Sequence, residues 1–364
     1  MRIVLAPDKF KSTLDARAVA RALAAGVKEV VSGAECIECP LADGGEGSTD
    51  VLLQHLGGRR HEVSIHGPDD RRLISSFASL DDGRAVVEMA QASGATLMEK
   101  PDALGATSRG TGELIAAAAV GSDRVVVFVG GSASTDGGTG AARPAGWEFL
   151  DKSGRSLPVG GGALRELADL RWVSTIETTV VGACDVTNPL IGPAGAARVF
   201  GPQKGASLDE IAILEEGLER LAHVVDTKLG VDVATIAHGG AGGGMGAGLS
   251  AFFGARLTSG FEIVASAAGL EEALTGADLV ITGEGRLDTS SFSGKVVSGV
   301  LELARKNGVP CAAVVGTSEV PSEIAAARGL DRVVTLEDVV GDSSSTRAAV
   351  ARAAQLVIEG EPEG

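Results

Sequence analysis

The pattern of hydrophobic and polar positions at the start of this chain predicts one strand and one helix. A short β-branched run, RIVLA from residue 2, predicts a strand. Apolar residues from Leu14 to Val30 then recur along one helical face, and Ser12 with Asp15 matches the start signal of a helix. The chain therefore opens with a strand and a helix.

The end of the chain repeats this pattern. The runs ADLVITG, VPCAAVV and DRVVTL predict strands, as does CIECPL near the start. A helix is expected from about Gly294 to Asn307, where Gly308 supplies a stop signal. Alternating β and α units predict a parallel sheet with right-handed connections.

The middle of the chain has a different pattern. Residues 61–90 form two or three alternating stretches joined by Gly, Pro and Asp turns, which favours antiparallel strands. Further βα units are expected near residues 110–146 and 178–230. We therefore expect the α/β class, with a doubly wound parallel-sheet domain formed by residues 1–65 and 275–364, and a large inserted α/β domain formed by residues 66–274.

The length, composition and net charge of the chain restrict which kinds of molecule it can bind. The chain has 364 residues, which suggests two domains, and its 44% hydrophobic and 22% charged content is typical of a globular protein. The excess of 48 acidic over 32 basic residues gives a net charge of -16, which opposes binding to nucleic acid and to anionic membranes. A small anionic ligand would need basic residues gathered locally.

The cysteines and the N-terminus point to a cytoplasmic protein. Cys36 and Cys39 form an isolated CxxC in a predicted strand, where the two thiols would point to opposite faces. No second CxxC completes a zinc set, so reduced thiols are expected. We find no run that resembles a signal peptide or a membrane span.

Several predicted strands end in loops that combine glycine with an ionisable residue. Ligands of open α/β sheets bind at the carboxyl ends of strands, where glycine lets backbone N–H groups approach phosphate. A single loop of this kind is also typical of an ordinary tight turn. Several such loops in one chain indicate a large anionic ligand and a catalytic cleft. The loops are APDKFKST, LADGGEGS, TSRGTGE, GGSASTDGGTG, ACDVTNP, FGPQKGA and ITGEGRLDTSSFSGK.

Standard nucleotide and hydrolase motifs fit poorly. A P-loop would need Ser or Thr after Lys295, where Val296 stands. A permissive dinucleotide motif begins at Gly242, with Glu262 at a suitable distance for a ribose, but most glycines of that tract fall outside it. The stretch around Ser132 resembles the nucleophile-elbow pattern GxSxG but lacks its final glycine.

The charged residues of these loops fit a phosphoryl-transfer reaction. It requires cations around a triphosphate, carboxylates for magnesium and a base near the acceptor hydroxyl. Loop solvation and helix capping are the alternative roles for these side chains. The candidate cations are Lys9, Lys11, Arg109, Lys204, Arg286 and Lys295. The candidate carboxylates are Asp8, Asp43, Glu46, Asp136, Asp185, Glu284 and Asp288.

The quoted loops, together with GGAGGGMGAGL, closely resemble the type 1 glycerate kinases, in order from residue 3 to about residue 316. DVTNP, FGPQKGA and ITGEGRLD are the most specific of these motifs. The resemblance implies phosphorylation of D-glycerate with ATP and Mg²⁺, with 2-phosphoglycerate as the usual product. It also implies a Rossmann-like domain, a large inserted α/β domain and an active site in the cleft between them.

Loop chemistry and the resemblance together assign roles. Asp185 is expected to be the general base, with Lys9 and Asp8 as further catalytic residues. Substrate binding is expected at Arg109, Ser132, Ser134, Asn188 and Lys204. ATP binding is expected at Gly44, Gly45, Lys11, Gly283, Gly285 and Lys295, and magnesium binding at Asp43, Glu284 and Asp288.

Three of these roles have explicit competitors. Asp185 follows a predicted strand and can accept a hydroxyl proton, but it can instead cap its turn through Asn188 or bind magnesium. Arg109 can pair with a substrate carboxylate at a helix start, or be a surface arginine. Asp288 can bind magnesium, or cap the following helix.

The chain also departs from the family. Where the family has GGSATND and a regular apolar helix, this sequence has Ser134, Thr135 and then Pro144, which would kink a helix. The last thirty residues match least. The alternative functions are a kinase for another small hydroxy acid, a nucleotide-binding sensor without turnover, and an NAD-dependent oxidoreductase. A monomer or homodimer is expected.

Overall fold

The computed structural model describes residues 1–10, 13–173, 176–292, 294–339 and 345–359. The strands are β1 Arg2–Pro7, β2 Glu35–Glu38, β3 Arg59–His66, β4 Arg72–Ser79, β5 Arg84–Glu88, β6 Arg124–Phe128, β7 Trp147–Leu150, β8 Asp169–Trp172, β9 Thr179–Ala183, β10 Arg256–Thr258, β11 Leu279–Leu287, β12 Cys311–Ser318 and β13 Arg332–Thr335.

Helices alternate with these strands. They are α1 Ala16–Val30, α2 Ser48–Leu56, α3 Met89–Ser93, α4 Arg109–Ala119, α5 Thr139–Ala142, α6 Ala196–Phe200, α7 Leu208–Leu229, α8 Ala241–Phe253, α9 Gly260–Ala267, α10 Leu270–Leu274, α11 Val296–Asn307, α12 Ser322–Arg328 and α13 Thr346–Glu359. Short 3₁₀ helices occur at Ala95–Leu97, Arg143–Ala145, Gly161–Glu166, Pro202–Lys204 and Thr289–Phe292.

The chain divides into two compact units. The first unit is built from Met1–Asp43, Asp50–His55 and the chain from Phe261 onwards, and the second unit from Gly44–Thr49 and Leu56–Gly260. The sequence predicted a domain boundary after residue 65, but the second unit already includes β3. Strand β3 belongs there because it pairs with β4 along its whole length. Helix α10 belongs to the first unit rather than to the inserted domain.

The first unit contains a parallel sheet in the order β13, β12, β11, β1, β2. Strand β1 is an interior strand between β11 and β2, and its residues from Ile3 onward are buried. Helix α1 starts after Asp15, whose side chain accepts the Ala18 amide, while Ser12 lies outside the described residues. Helices α1 and α13 pack closely, since a Cβ atom on Gly26 would lie 2.0 Å from the Ala351 carbonyl oxygen.

The second unit contains a mixed sheet in the order β10, β9, β6, β5, β4, β3. Strands β10, β9, β6 and β5 are parallel, whereas β4 is antiparallel to both of its neighbours. The antiparallel pairing predicted for residues 61–90 is confirmed. Strands β7 and β8 form a separate antiparallel pair, in which Trp147 lies opposite Trp172.

Pro144 does not interrupt a long helix. Helix α5 ends at Ala142, and Pro144 lies in the first turn of the following 3₁₀ helix, where its missing N–H is tolerated. This stretch therefore forms two short helical segments instead of one kinked helix.

The four cysteines are free thiols, and burial raises the pKa of Cys39 to about 11 and of Cys311 to about 12. These two thiols are therefore protonated at neutral pH. Within the described ranges, no helix combines the length and apolar character needed to cross a lipid bilayer.

Candidate active site

In the first unit, the ends of β1 and β11 bring acidic residues together. Pro7 lies opposite Gly283 in the parallel register, and the Asp8 amide donates to the Gly283 carbonyl at 2.8 Å. Asp8 is thus held beside the strand segment that carries Glu284. Asp43 completes the group, because its charge acts on both of these carboxyl groups.

Two of these carboxyl groups, Asp8 and Glu284, have raised pKa values. Burial and the nearby Asp43 carboxylate raise the pKa of Asp8 to about 8. Burial, with smaller contributions from Asp288 and Asp43, raises the pKa of Glu284 to about 7, against a hydrogen bond from Ser291. Glu284 Oε1 is buried and has no hydrogen-bond partner among the described residues. The group is suited to a cation that would replace the missing partner.

Asp288 has local partners. Its Oδ1 accepts the Ser290 amide at 2.7 Å and the Ser290 hydroxyl at 2.5 Å, and these bonds lower the pKa of Asp288. Lys295 Nζ donates to Ser290 Oγ at 2.7 Å, just before α11 begins. Asp288 therefore shapes the turn at Thr289–Phe292, whereas the N-cap position of α11 is Lys295.

A complete metal cage is not preformed. Across the described ranges, no group of three or more His, Cys, Asp or Glu side chains is arranged to hold a metal ion. Magnesium commonly takes only one or two protein carboxylates, with water and substrate phosphates as its other ligands. The unpartnered Glu284 oxygen fits such a site, whereas magnesium binding at Asp43, Glu284 and Asp288 stays a prediction.

The glycines at 283 and 285 lie inside a strand. Strand β11 continues to Leu287, beyond the end expected from ADLVITG, and pairs with β12 over this extension. A Cβ atom on Gly283 would lie 2.1 Å from the Val314 carbonyl oxygen. Close strand packing therefore requires Gly283, and the expected loop around Gly285 begins later. Their ATP-binding role stays a prediction, and Lys11 lies outside the described residues.

In the second unit, parallel strands end together at one edge of the sheet. Glu88 lies opposite Phe128, which lies opposite Ala183, and Ala183 in turn lies opposite Thr258. The residues that follow these positions therefore meet, including Asp185 two residues after Ala183.

Asp185 is fixed at this edge by backbone and side-chain donors. Its Oδ1 accepts the Gly260 amide at 2.8 Å and the Ser259 hydroxyl at 3.2 Å. Its Oδ2 faces Gly44, where a Cβ atom would lie only 2.2 Å away. The Asn188 amide group donates instead to the Ala194 carbonyl at 2.8 Å. Asp185 thus contacts the ADGGEGS loop directly.

Glu88 holds that loop and was missed by the sequence analysis. Its carboxylate accepts the Thr49 amide at 2.6 Å, the Gly47 amide at 3.3 Å and the Gln91 side chain at 2.8 Å. It is only 2% exposed. The signal was an acidic residue at the end of the apolar run AVVE. Gly45 of the same loop lies beside Gly130, whose Cβ would be 3.0 Å from the Gly45 Cα.

Asp136 anchors the loop GGSASTDGGTG. It is fully buried and accepts the amide and the hydroxyl of Ser108, each at 2.8 Å, and the Gly140 amide at 3.1 Å. These bonds join the loop to the start of α4. Asp136 therefore has a structural role.

Ser132, Ser134 and Lys204, expected to bind substrate, are brought together. Lys204 Nζ donates to Ser132 Oγ at 2.9 Å and to the Ser134 carbonyl at 2.5 Å. Lys204 is 6% exposed, and burial lowers its pKa to about 8. The hydroxyls of Ser134 and Thr135 are buried without a partner among the described residues.

The glycine tract in α8 packs against this loop. Gly242, Gly243 and Gly244 all have positive φ angles, so the helical conformation is interrupted there. A Cβ atom on Gly243 would lie 2.0 Å from the Ser134 carbonyl oxygen and 2.7 Å from Lys204 Nζ. The tract therefore permits close backbone packing, which explains its glycines without a dinucleotide.

Arg109 has carboxylate partners within the protein. Its guanidinium lies 3.0 Å from Asp70 Oδ1 and 3.4 Å from Glu113 Oε1. Glu113 also pairs with His66 Nδ1 at 2.7 Å. A substrate carboxylate at Arg109 would share or displace these partners, so the predicted role stays untested.

Parallel strand ends that carry buried acids, glycine-rich loops and a buried lysine define an α/β kinase. The chain belongs to the glycerate kinase family, whose family model matches residues 3–360. It is 41% identical to the glycerate 2-kinase of Escherichia coli K12 over 350 residues, which cover 94% of this chain and 92% of that protein.

Two further comparisons agree. The chain is 40% identical to the glycerate kinase of Bacillus subtilis 168, with 92% of this chain and 90% of that protein covered. A crystal structure of a Salmonella typhimurium LT2 protein described as glycerate kinase 2 matches with a TM-score of 0.85 and 39% identity, covering 99% of this chain and 97% of that one. Fold and sequence therefore lead to the same family.

Proposed function

We propose that this kinase transfers the γ-phosphoryl group of ATP to D-glycerate and forms 2-phosphoglycerate. Family membership supports the reaction class, and the name of the Escherichia coli relative supports the position of transfer. The structural observation that carries the proposal is the contact of Asp185 with Gly44, which puts a carboxylate against a glycine-rich loop of the phosphate-binding type.

Asp185 is proposed as the general base. The Gly260 amide and Ser259 hydroxyl both donate to Oδ1, so they orient the carboxylate. The other oxygen, Oδ2, lies at the Gly44 loop and would accept the proton of the glycerate hydroxyl as the bond to phosphorus forms. Lys9 and Asp8 are proposed as further catalytic residues.

The triphosphate is proposed to bind backbone amides at Gly44 and Gly45, with Lys295 as a cation and with Gly283 and Gly285 nearby. Asp43, Glu284 and Asp288 would hold Mg²⁺, which neutralises phosphate charge when bound. The buried, unpartnered Oε1 of Glu284 supports this assignment. Deprotonation of Glu284 would accompany binding of the cation, since a metal ligand must be the carboxylate.

The acceptor is proposed to bind at Ser132, Ser134, Asn188 and Lys204, with Arg109 at its carboxylate. The clustering of Ser132, Ser134 and Lys204 supports this group. A Rossmann-like arrangement of the first unit, a cytoplasmic location, a monomer or homodimer, and an active site formed between two domains stay predictions from the sequence.

One assay tests the proposal against its alternatives. ADP release is measured with D-glycerate, L-glycerate, a second hydroxy acid such as lactate, and no acceptor, while absorbance at the NADH wavelength is recorded. Phosphorus NMR of the product then distinguishes 2-phosphoglycerate from 3-phosphoglycerate. ADP release that needs lactate rather than glycerate, nucleotide binding without turnover, or NAD reduction would each overturn the proposal in favour of one alternative.

A further inference from the structure

Lys204 carries a buried ammonium group that has no carboxylate in hydrogen-bond contact among the residues that the structure describes. It ends the 3₁₀ helix Pro202–Lys204 and is 6% exposed. The ionisable group that acts on it among the described residues is Asp136, whose oxygens already accept from Ser108, Gly138 and Gly140. Burial of a cation is costly unless it is compensated. An ordinary core position would favour an apolar side chain here.

The partners of Lys204 suggest what the cation does. Its Nζ is held by the Ser134 carbonyl and by the close approach of Gly243, so its position is fixed. Its other bond is to Ser132 Oγ, at 2.9 Å. An ammonium group has only donors, so Ser132 is the acceptor in this bond.

This bond determines what Ser132 can offer to a ligand. A hydroxyl group has one proton, and with a lone pair taken by Lys204 that proton must be donated elsewhere. No described residue accepts a hydrogen bond from Ser132 Oγ. Ser132 is 8% exposed, whereas Ser134 and Thr135 are fully buried. Among the hydroxyl-bearing residues of this cluster, Ser132 is therefore the most exposed.

We propose that Lys204 is a positioning residue that makes the Ser132 hydroxyl a hydrogen-bond donor for an anionic oxygen of a substrate. That oxygen belongs either to the carboxylate of the small acid or to a phosphoryl group, and the ammonium charge strengthens both interactions. The inference rests on the proposed function. It adds that Ser132 donates the hydrogen bond to the substrate, and that Lys204 contributes to this contact through Ser132.

Equilibrium binding and steady-state kinetics test the coupling. D-glycerate and a non-hydrolysable ATP analogue are titrated separately into the wild type, Ser132→Ala, Lys204→Met and the double variant, and both KM values are measured. We expect each single variant to weaken the same ligand about tenfold, with little change for the other ligand. The double variant should be no weaker than the worse single variant, because Lys204 acts through Ser132.

A second lysine serves as a control that distinguishes the positioning role of Lys204 from a general effect on stability. Lys228 pairs with Asp169 at 2.8 Å in the same unit and is partly exposed. Lys228→Met should leave both dissociation constants unchanged. If Lys204→Met lowers only the melting temperature, or if its effect on binding adds to that of Ser132→Ala, Lys204 is merely structural and the inference is wrong.

A pH series tests the inference even if Lys204→Met does not fold. As pH rises through about 8 the wild-type lysine loses its proton, so its amine can accept from Ser132 and turn the hydroxyl proton inward. Binding of the affected ligand should therefore weaken between pH 7 and pH 9. Ser132→Ala should lose this pH dependence, and Lys204→Arg should lose it as well because a guanidinium stays charged.

The outcomes separate two failures. A wild type that neither binds D-glycerate nor releases ADP in its presence refutes the proposed function. A wild type that phosphorylates D-glycerate, but shows the same pH dependence of both KM values as Ser132→Ala, refutes only the role of Lys204.

Discussion

Gly44 and Asp185 approach so closely that a Cβ atom on Gly44 would lie 2.2 Å from Asp185 Oδ2. Gly44 also has a φ angle of 82°, which L side chains rarely adopt. Glycine is therefore required twice at this position, once for the backbone conformation and once for the carboxylate beside it. The loop and the proposed base are therefore in direct contact.

Gly44→Ala should lower kcat at least about tenfold, because the methyl group must displace either the loop or Asp185. The control is Gly154→Ala, since Gly154 has a similar φ of 78° but open space around it. The two variants should lose comparable stability from backbone strain, about 1 kcal/mol. Equal turnover in both variants would contradict the importance of the contact.

Asp185→Asn should lower kcat at least about a hundredfold with little change in melting temperature, since the amide oxygen can still accept the Gly260 amide. Asp151→Asn is the control, because Asp151 accepts the Ser153 and Arg155 amides in an exposed turn. That variant should turn over normally. Normal turnover by Asp185→Asn, or loss of activity only through unfolding, would exclude Asp185 as the base.

Arg109→Ala should raise KM for D-glycerate at least about tenfold and leave KM for ATP nearly unchanged, if the guanidinium binds the acceptor carboxylate. Asp70→Asn provides the comparison, because it weakens the internal ion pair while keeping the guanidinium. It should not raise KM for D-glycerate. An equal rise in both KM values of Arg109→Ala would instead indicate a structural arginine.

Glu284→Gln should raise the Mg²⁺ concentration for half-maximal activity at least about tenfold. The unfolding temperature should not fall, because the carboxylate is buried near Asp288 and Asp43 and lacks a partner at Oε1. Asp288→Asn should also raise the Mg²⁺ requirement, because Asp288 is proposed as a ligand of the same ion. An unchanged requirement together with stability lower by about 1 kcal/mol would instead leave Asp288 only a structural role in its turn.

Asp8 should make stability fall as pH rises. Its pKa is about 8 in the folded protein and near 3.8 when unfolded, so between these values the folded state binds more protons. The free energy of unfolding should therefore decrease from about pH 4 to pH 8, and Asp8→Asn should remove much of this decrease. Urea unfolding at pH 5 and pH 8 without divalent cations measures it. An Asp8→Asn effect of equal size at both pH values would contradict the raised pKa.

The sequence predicted most of the sheet because burial on both faces leaves a clear apolar run, as in β1 and β12. It missed the extension of β11 to Leu287, because glycine and charge inside a strand imitate a loop. The contact of Lys204 with Ser132 spans 72 residues of sequence, so no local pattern predicts it. Glu88 ends the apolar run AVVE, but its bonds to the Gly47 and Thr49 amides join segments about 40 residues apart, so its role in holding that loop could not be predicted locally.

The place of β1 between β2 and β11 has a consequence for biosynthesis. The second unit draws most of its chain from the continuous segment Leu56–Gly260, which is synthesised before β11. Strand β1 is synthesised long before β11, whose residues follow more than 270 positions later, as the Arg2 carbonyl bond to the Asp278 amide illustrates. The pairing of β1 with β11 therefore forms only after the whole of Leu56–Gly260 has been synthesised, and until then β1 exposes an unpaired edge for chaperones to protect.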